Sequence, residues 1–270
     1  MFTKLLAYEI RSRYRTDVRS FGAFIAVIAV AAGIVAAGLP GISGSTAVLA
    51  YALCALTPVA CAIAAMADYW KTLYGQRGYF TMSLPISGKV IFWAKNTRIM
   101  IECLLALALA VGGIIAVASA AAWSDGISLA EYTAGPRSQL AIFSPSVQVI
   151  LIMSQLIACA SMIVQVCAVM TLAAEGRFNH MGFGAVAIGL VLLYIVNQIL
   201  SGVGTFFLPF SITPDGHFST ESMWSSYRAA LETDAEPTVW GLGACIVIPI
   251  FALLLAAWAS RSIEKHTSLR

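Results

Sequence analysis

Glu102 is the acid that asks most of its surroundings. It lies inside the apolar run 97–123, where an ionised side chain costs about 3 kcal/mol or more and needs a partner. Arg98 stands four residues earlier on the same helix face, and its long stem lets the charged head reach toward an interface. The pair reads either as an ion pair near a membrane boundary or as a gate or substrate contact. Two further polar sets sit in apolar runs. Ser154, Ala158, Ser161, Gln165 and Ala168 recur at helical spacing, and Asn197 lies one turn before Ser201, with Gly204 beyond. Such small and polar residues either let helices pack closely and hydrogen-bond across the contact or line a pathway. Asp68 and Glu175 fall at helix ends, where they read as ordinary boundary charges.

Other chemistry is missing. No GxxxxGK[ST], HExxH or GxSxG occurs, so a phosphate loop, a zinc-protease helix and a nucleophile elbow are not expected. His180, His217 and His266 belong to three separate polar segments and are not expected to converge on a metal. The six cysteines all fall inside apolar runs and read as small hydrophobes. No catalytic set, metal site or resident cofactor is expected in this chain.

The elements that must position these residues follow from composition. Of 270 residues, 60% are hydrophobic and 11% charged, against about a quarter charged in ordinary soluble domains. A soluble fold of this length could not hide that apolar surface, so lipid must be the solvent for much of it. Apolar runs at 21–39, 46–67, 97–123, 146–174, 181–207 and 239–259 are each long enough to cross about 30 Å of hydrocarbon as a helix. Open strands cannot span lipid. The expected fold is an all-α membrane protein with six transmembrane helices. Before them, residues 1–20 place Phe2, Leu5, Leu6, Ile10, Tyr14, Val18 and Phe21 on one stripe. Lys4, Arg11, Arg13, Arg15 and Arg19 fill the other face, a pattern expected of a basic helix lying in the headgroup layer. The rival reading, a secretory signal peptide, fits poorly with so long a charged region and apolar run.

Cation counts set the orientation. One side collects the five cations before the first span, then Lys71, Arg77, Lys89, Lys95, Arg98, Arg177, Arg261, Lys265 and Arg270; the other has Arg137 and Arg228. Both termini and the segment 68–96 are therefore expected in the cytosol, with 124–145 and 208–238 outside. The formal charge of +3 is distributed by membrane side, and the expected partner is lipid rather than nucleic acid. In the outer segment, Trp224, Tyr227 and Leu231 mark a short surface helix. No internal repeat is visible.

The segment 68–96 is too long and too aromatic for a simple connection. Leu73, Tyr74, Arg77, Tyr79, Phe80 and Met82 could form a short amphipathic helix, which Gly75 and Gly78 would weaken by about 1 kcal/mol each. Pro85 forces Leu84 into an extended conformation, and Ser87 can cap the helix that follows. The segment is either a docking surface for another protein or an interfacial elbow belted with aromatics.

Its residues resemble a known pattern. Gln76-Arg77-Gly78, five residues, Leu84-Pro85-Ile86-Ser87 and then Lys95 are similar to the loop after the second span of type-two ATP-binding-cassette (ABC) exporter permeases. That pattern runs acidic residue, Arg or Lys, Gly, apolar stretch, Leu or Ser, Pro, β-branched residue, Ser, and a Lys opening the third span. The basic N-terminus, six spans and both ends inside extend the resemblance over the whole chain. Gln76 departs from it, standing where the acidic residue belongs, and the outer segment 208–238 is more polar than the family's re-entrant helices. The resemblance implies that Gln76, Arg77, Gly78, Tyr79, Phe80, Leu84 and Pro85 form a coupling helix seated in a separate ATPase subunit, which binds the ATP and Mg. It implies a second permease subunit, the same chain or a relative, and a place in the plasma (inner) membrane of a bacterium. On this expectation, pathway or gate residues are Glu102, Ser154, Ser161, Gln165, Asn197 and Ser201. Two alternatives stand beside it: an ion- or proton-coupled transporter acting alone, with Glu102 as proton site, and a membrane scaffold or substrate-binding subunit of a vitamin importer.

Overall fold

In a computed structural model the described residues are 1–75, 78, 85–141, 143–213, 215, 217–233, 236 and 238–265, without the side chain of Asn179. They form two compact units, one from 1–69 with 93–139, the other from 70–92 with 140–270.

In the first unit, α1 (Phe2–Ala36) is a single helix of 35 residues, about 52 Å at 1.5 Å per residue. The separate interfacial helix expected over 1–20 is instead continuous with the first span. One charged row of it turns inward, while the cations Lys4, Arg11, Arg15 and Arg19 are exposed. Leu5, Glu9, Phe24 and Ile28 are buried and Arg13, Asp17 and Phe21 half-buried, so the inward stripe changes from charged to apolar along the helix. Ile10, Tyr14 and Val18 are exposed. The reason is physical: where lipid is the solvent, apolar side chains face out and paired charges face in. Gly38 and Gly41, with φ of 62° and 78°, make the turn into α2 (Ile42–Leu73) in a conformation that other residues resist. A third long helix, α3 (Gly88–Ser124), completes the unit. Phe24 and Ile28 of α1, Ala50 and Cys54 of α2, and Ala110 and Val117 of α3 form one apolar cluster. Gly113 of α3 is part of that contact, since a Cβ there would stand 2.7 Å from the Cys54 sulfur. Short helices α4 (Leu129–Tyr132) and α5 (Ala134–Leu140) follow, the first capped where the Ser128 hydroxyl accepts the Glu131 N–H at 3.2 Å.

The second unit is built on α6 (Pro145–Ala173), α7 (Phe183–Phe207) and α9 (Ala244–Lys265), which pack against one another. Ser144 and Pro145 open α6 in the positions that favour them, the Ser144 hydroxyl accepting from Val147. A 3-10 helix, Gly176–Met181, and Gly182 at φ 62° lead into α7. Between α7 and α9 lies a feature that an all-α expectation does not include. Three two-residue strands, β1 (Ser211–Ile212), β2 (Phe218–Ser219) and β3 (Trp240–Gly241), form an antiparallel sheet in the order β2-β1-β3. Ser211 lies opposite Ser219 and Gly241, and Ile212 opposite Phe218 and Trp240. Strands this short carry no alternating pattern for a sequence to display. The surface helix expected near Trp224 is α8 (Met223–Thr233), with Ser226 and Ala230 buried and Trp224, Tyr227 and Leu231 exposed.

Six of these helices, α1, α2, α3, α6, α7 and α9, are long and apolar enough to cross a membrane. Their outward side chains include Val30, Leu49, Ile63, Ile152, Val191 and Leu254, surface that water would not tolerate in such quantity. The chain is a multi-pass membrane protein. Each expected span overlaps one of the six, with two differences: α2 and α3 run on into the polar segment, so 68–73 and 88–96 are helical, and the expected sixth span 239–259 opens on β3, its helix running Ala244–Lys265. The helix cap differs too. Ser87 contributes its carbonyl, accepting from Val90 and Ile91 at 2.9 and 3.2 Å. The Gly88 N–H donates instead to the Glu264 carboxylate at 2.8 Å, an anion well placed at a helix N-terminus.

Candidate functional site

The Arg98–Glu102 pair is one edge of a larger cluster. Arg98 donates through Nη1 to Glu102 and through Nη2 to Asp68 of α2 at 3.0 Å. Its Nε lies 3.8 Å from Glu9 of α1. Lys95 Nζ donates to the other Glu9 oxygen at 2.9 Å. Arg13 reaches Asp68 at 2.8 Å, Asp17 at 3.2 Å and Glu102 at 3.9 Å. Among the described residues, three cations and four carboxylates from three helices thus share one site. Lys95 and Arg98 are each 1% exposed.

Burial on that scale decides what the cluster must be. Desolvating an ion costs several kcal/mol, recovered only with close partners and satisfied hydrogen bonds. A planar guanidinium can meet several carboxylates in fixed directions, which an ammonium cannot; both arginines hold such branching positions. Asp68 takes one arginine on each oxygen, Oδ1 from Arg13 and Oδ2 from Arg98. The site therefore ties α1, α2 and α3 together within the first unit. With every group ionised, the described residues of the site carry one negative charge more than positive.

Sequence reasoning found the Arg98–Glu102 edge and missed the rest. Asp68 reads as a boundary charge, Lys95 as one of the cytosolic-side cations and Arg13 as a headgroup contact; all three are paired inside the protein. A signal was present. Glu9, Arg13 and Asp17 alternate in sign at spacings of four, which puts them on one helix face.

The second unit places its polar residues differently. Gln165 is fully buried, accepts from Asn197 Nδ2 at 2.7 Å and donates to the Ile248 carbonyl at 3.2 Å. One amide thus links α6, α7 and α9. Ser154 and Ser161 donate to the Leu151 and Ile157 carbonyls of their own helix, each at 2.8 Å. Ser201 is half-buried on α7. Glu175 is buried, accepting from Ser262 at 2.8 Å and pairing with Arg177 at 2.8 Å; it too is more than a boundary charge. Among the described residues no three His, Cys, Asp or Glu side chains gather as a metal site, and His266 lies outside them.

Of the residues expected to dock an ATPase, Gly78 is buried, its N–H donating to the Gly75 carbonyl at 2.8 Å, and Pro85 is exposed. Gln76, Arg77, Tyr79, Phe80 and Leu84 lie outside the described residues. Compared with family models, curated proteins and solved structures, the chain matches none of them.

Proposed function

We propose that this chain is the transmembrane subunit of an exporter driven by a separate ATPase gripping the segment between α2 and α3 in the cytosol. The observation that supports the reading is how that segment is held. α2 and α3 have 32 and 37 residues, about 48 and 55 Å. Both exceed the roughly 30 Å of hydrocarbon, so each has length left over to project beyond it. The residues next to the segment, 70–75 and 85–92, belong to the second unit, while the remainder of α2 and α3 belongs to the first. A load on the segment is therefore passed along two continuous helices. In the first unit it meets the charge cluster, which binds those helices to α1 and resists their sliding apart. Two copies, or this chain and a relative, would enclose the pathway in a bacterial inner membrane with both termini inside.

The test is co-purification. The tagged chain, extracted from its native membrane, should bring down a subunit carrying a phosphate loop and ATPase activity, while the chain alone hydrolyses no ATP. Arg77→Glu combined with Pro85→Gly should abolish the complex; its persistence would refute docking at this segment.

The surplus carboxylate around Glu102 favours a second reading, a proton-coupled transporter acting alone. Transport by the purified chain in liposomes, lost on Glu102→Gln, would decide for it.

A further inference from the structure

A groove of about 330 Å³ runs over the second unit between α6, the 3-10 helix, α7 and α9. It follows α7 from Ala185 to Val196, eleven steps or about 16 Å at 1.5 Å each. Its walls are apolar, with Leu192, Leu255 and Trp258 among them, and Arg177 is the one charged residue lining it. The guanidinium lies 4.7 Å from the Phe178 ring centroid. Its Nε is held by Glu175 at 2.8 Å, yet the side chain is 60% exposed. Both terminal amino groups lack a hydrogen-bond partner among the described residues.

We propose that this groove seats one acyl chain of an anionic phospholipid, whose phosphate meets Arg177. Two features select that occupant. The lining is apolar along its whole length except at Arg177, so the site offers hydrocarbon surface with one cation beside it. An acyl chain carrying an anionic headgroup has that same division between hydrocarbon and charge. At the mouth, a guanidinium with its outward amino groups unengaged is a bidentate site for phosphate. Phe178 and Glu175 fix its direction. Arg177 also falls on the side of the membrane where cations collect in this chain, the side facing the anionic leaflet. Because Glu175 offsets part of the charge, the preference for an anionic headgroup is modest, about five-fold for one arginine near the surface. The inference is independent of whether an ATPase docks.

Native mass spectrometry of the full chain in detergent tests it, with dioleoylphosphatidylglycerol, dioleoylphosphatidylcholine and inorganic phosphate as probes. The wild type should bind the glycerol lipid about five-fold tighter than the choline lipid, and phosphate alone should not displace it. Arg177→Gln should erase the preference while keeping chain binding, and Arg177→Lys should restore part of it. Leu192→Trp, a change on an exposed lining residue, should weaken both lipids. Equal affinity for the two lipids, displacement by phosphate, or adducts indifferent to both Arg177→Gln and Leu192→Trp would overturn the assignment. So would a dimer that dissociates on Leu192→Trp, which would make the groove a contact between copies.

Discussion

Arg98 and Asp68, thirty residues apart in the chain, are joined at 3.0 Å, and the second oxygen of that aspartate takes Arg13 at 2.8 Å. One carboxylate at the end of α2 is thereby shared by arginines from the helices on either side of it in the chain. In a membrane protein, where apolar packing gives helices no preference for each other over lipid, such a shared ion is a strong reason for three helices to stay together.

Arg98→Ala should be the most damaging single change in the cluster, because it leaves Glu102 and Asp68 each short of a partner in a buried site. Breaking a buried pair from one side costs about 3–5 kcal/mol, read by thermal unfolding in detergent. Glu102→Gln should cost much less, about 1 kcal/mol, since it removes the surplus negative charge and keeps an oxygen to accept from Arg98. Equal losses for the two variants would show that the cluster has no surplus charge to give up.

Lys95→Glu sets a second carboxylate against Glu9 and should lower the unfolding temperature. Adding Glu9→Lys restores opposite charges across the 2.9 Å contact and should recover part of the loss, a coupling of about 0.5–3 kcal/mol. Double-mutant stability measurements check this; strict additivity would mean that the two residues do not act as a pair.

The spans were legible because lipid demands unbroken apolar length, a signal carried by each segment alone. Glu102 was legible for the complementary reason, that an acid in such a run must find a partner, and Arg98 was near enough in sequence to be named. Asp68, Arg13 and Glu9 were not, because their partners lie on other helices and nothing local distinguishes a paired arginine from a headgroup arginine. The same limit explains the Ser87 cap: its hydroxyl was the local candidate, while Glu264, far along the chain, holds the helix end. The strands after α7 escaped because two-residue strands depend on the tertiary path rather than on periodicity.

Gly113→Ala should destabilise the first unit. The new Cβ would stand 2.7 Å from the Cys54 sulfur, and overpacking of this kind costs about 1–3 kcal/mol. Cys54→Ala in the same chain removes the obstructing atom and should recover most of the loss in a thermal unfolding series. No recovery would place the strain elsewhere.

Gln165→Leu and Asn197→Leu should each cost about 0.6–2 kcal/mol, the range for hydrogen bonds between membrane helices. The double variant should cost less than their sum, since the second change then removes a group already without its partner. If the doubly substituted chain unfolds like the wild type but loses transport, the two amides line the pathway rather than fasten the helices.

The most direct test of the ATPase-driven account places a photo-cross-linking amino acid at Phe80 in the chain, in its native membrane, and identifies the captured peptide by mass spectrometry. The account predicts a peptide from a cytosolic ATPase that carries a phosphate loop, with capture lost when Arg77→Glu and Pro85→Gly are added. Cross-links to lipid alone, or to a protein on the outer side of the membrane, would contradict it.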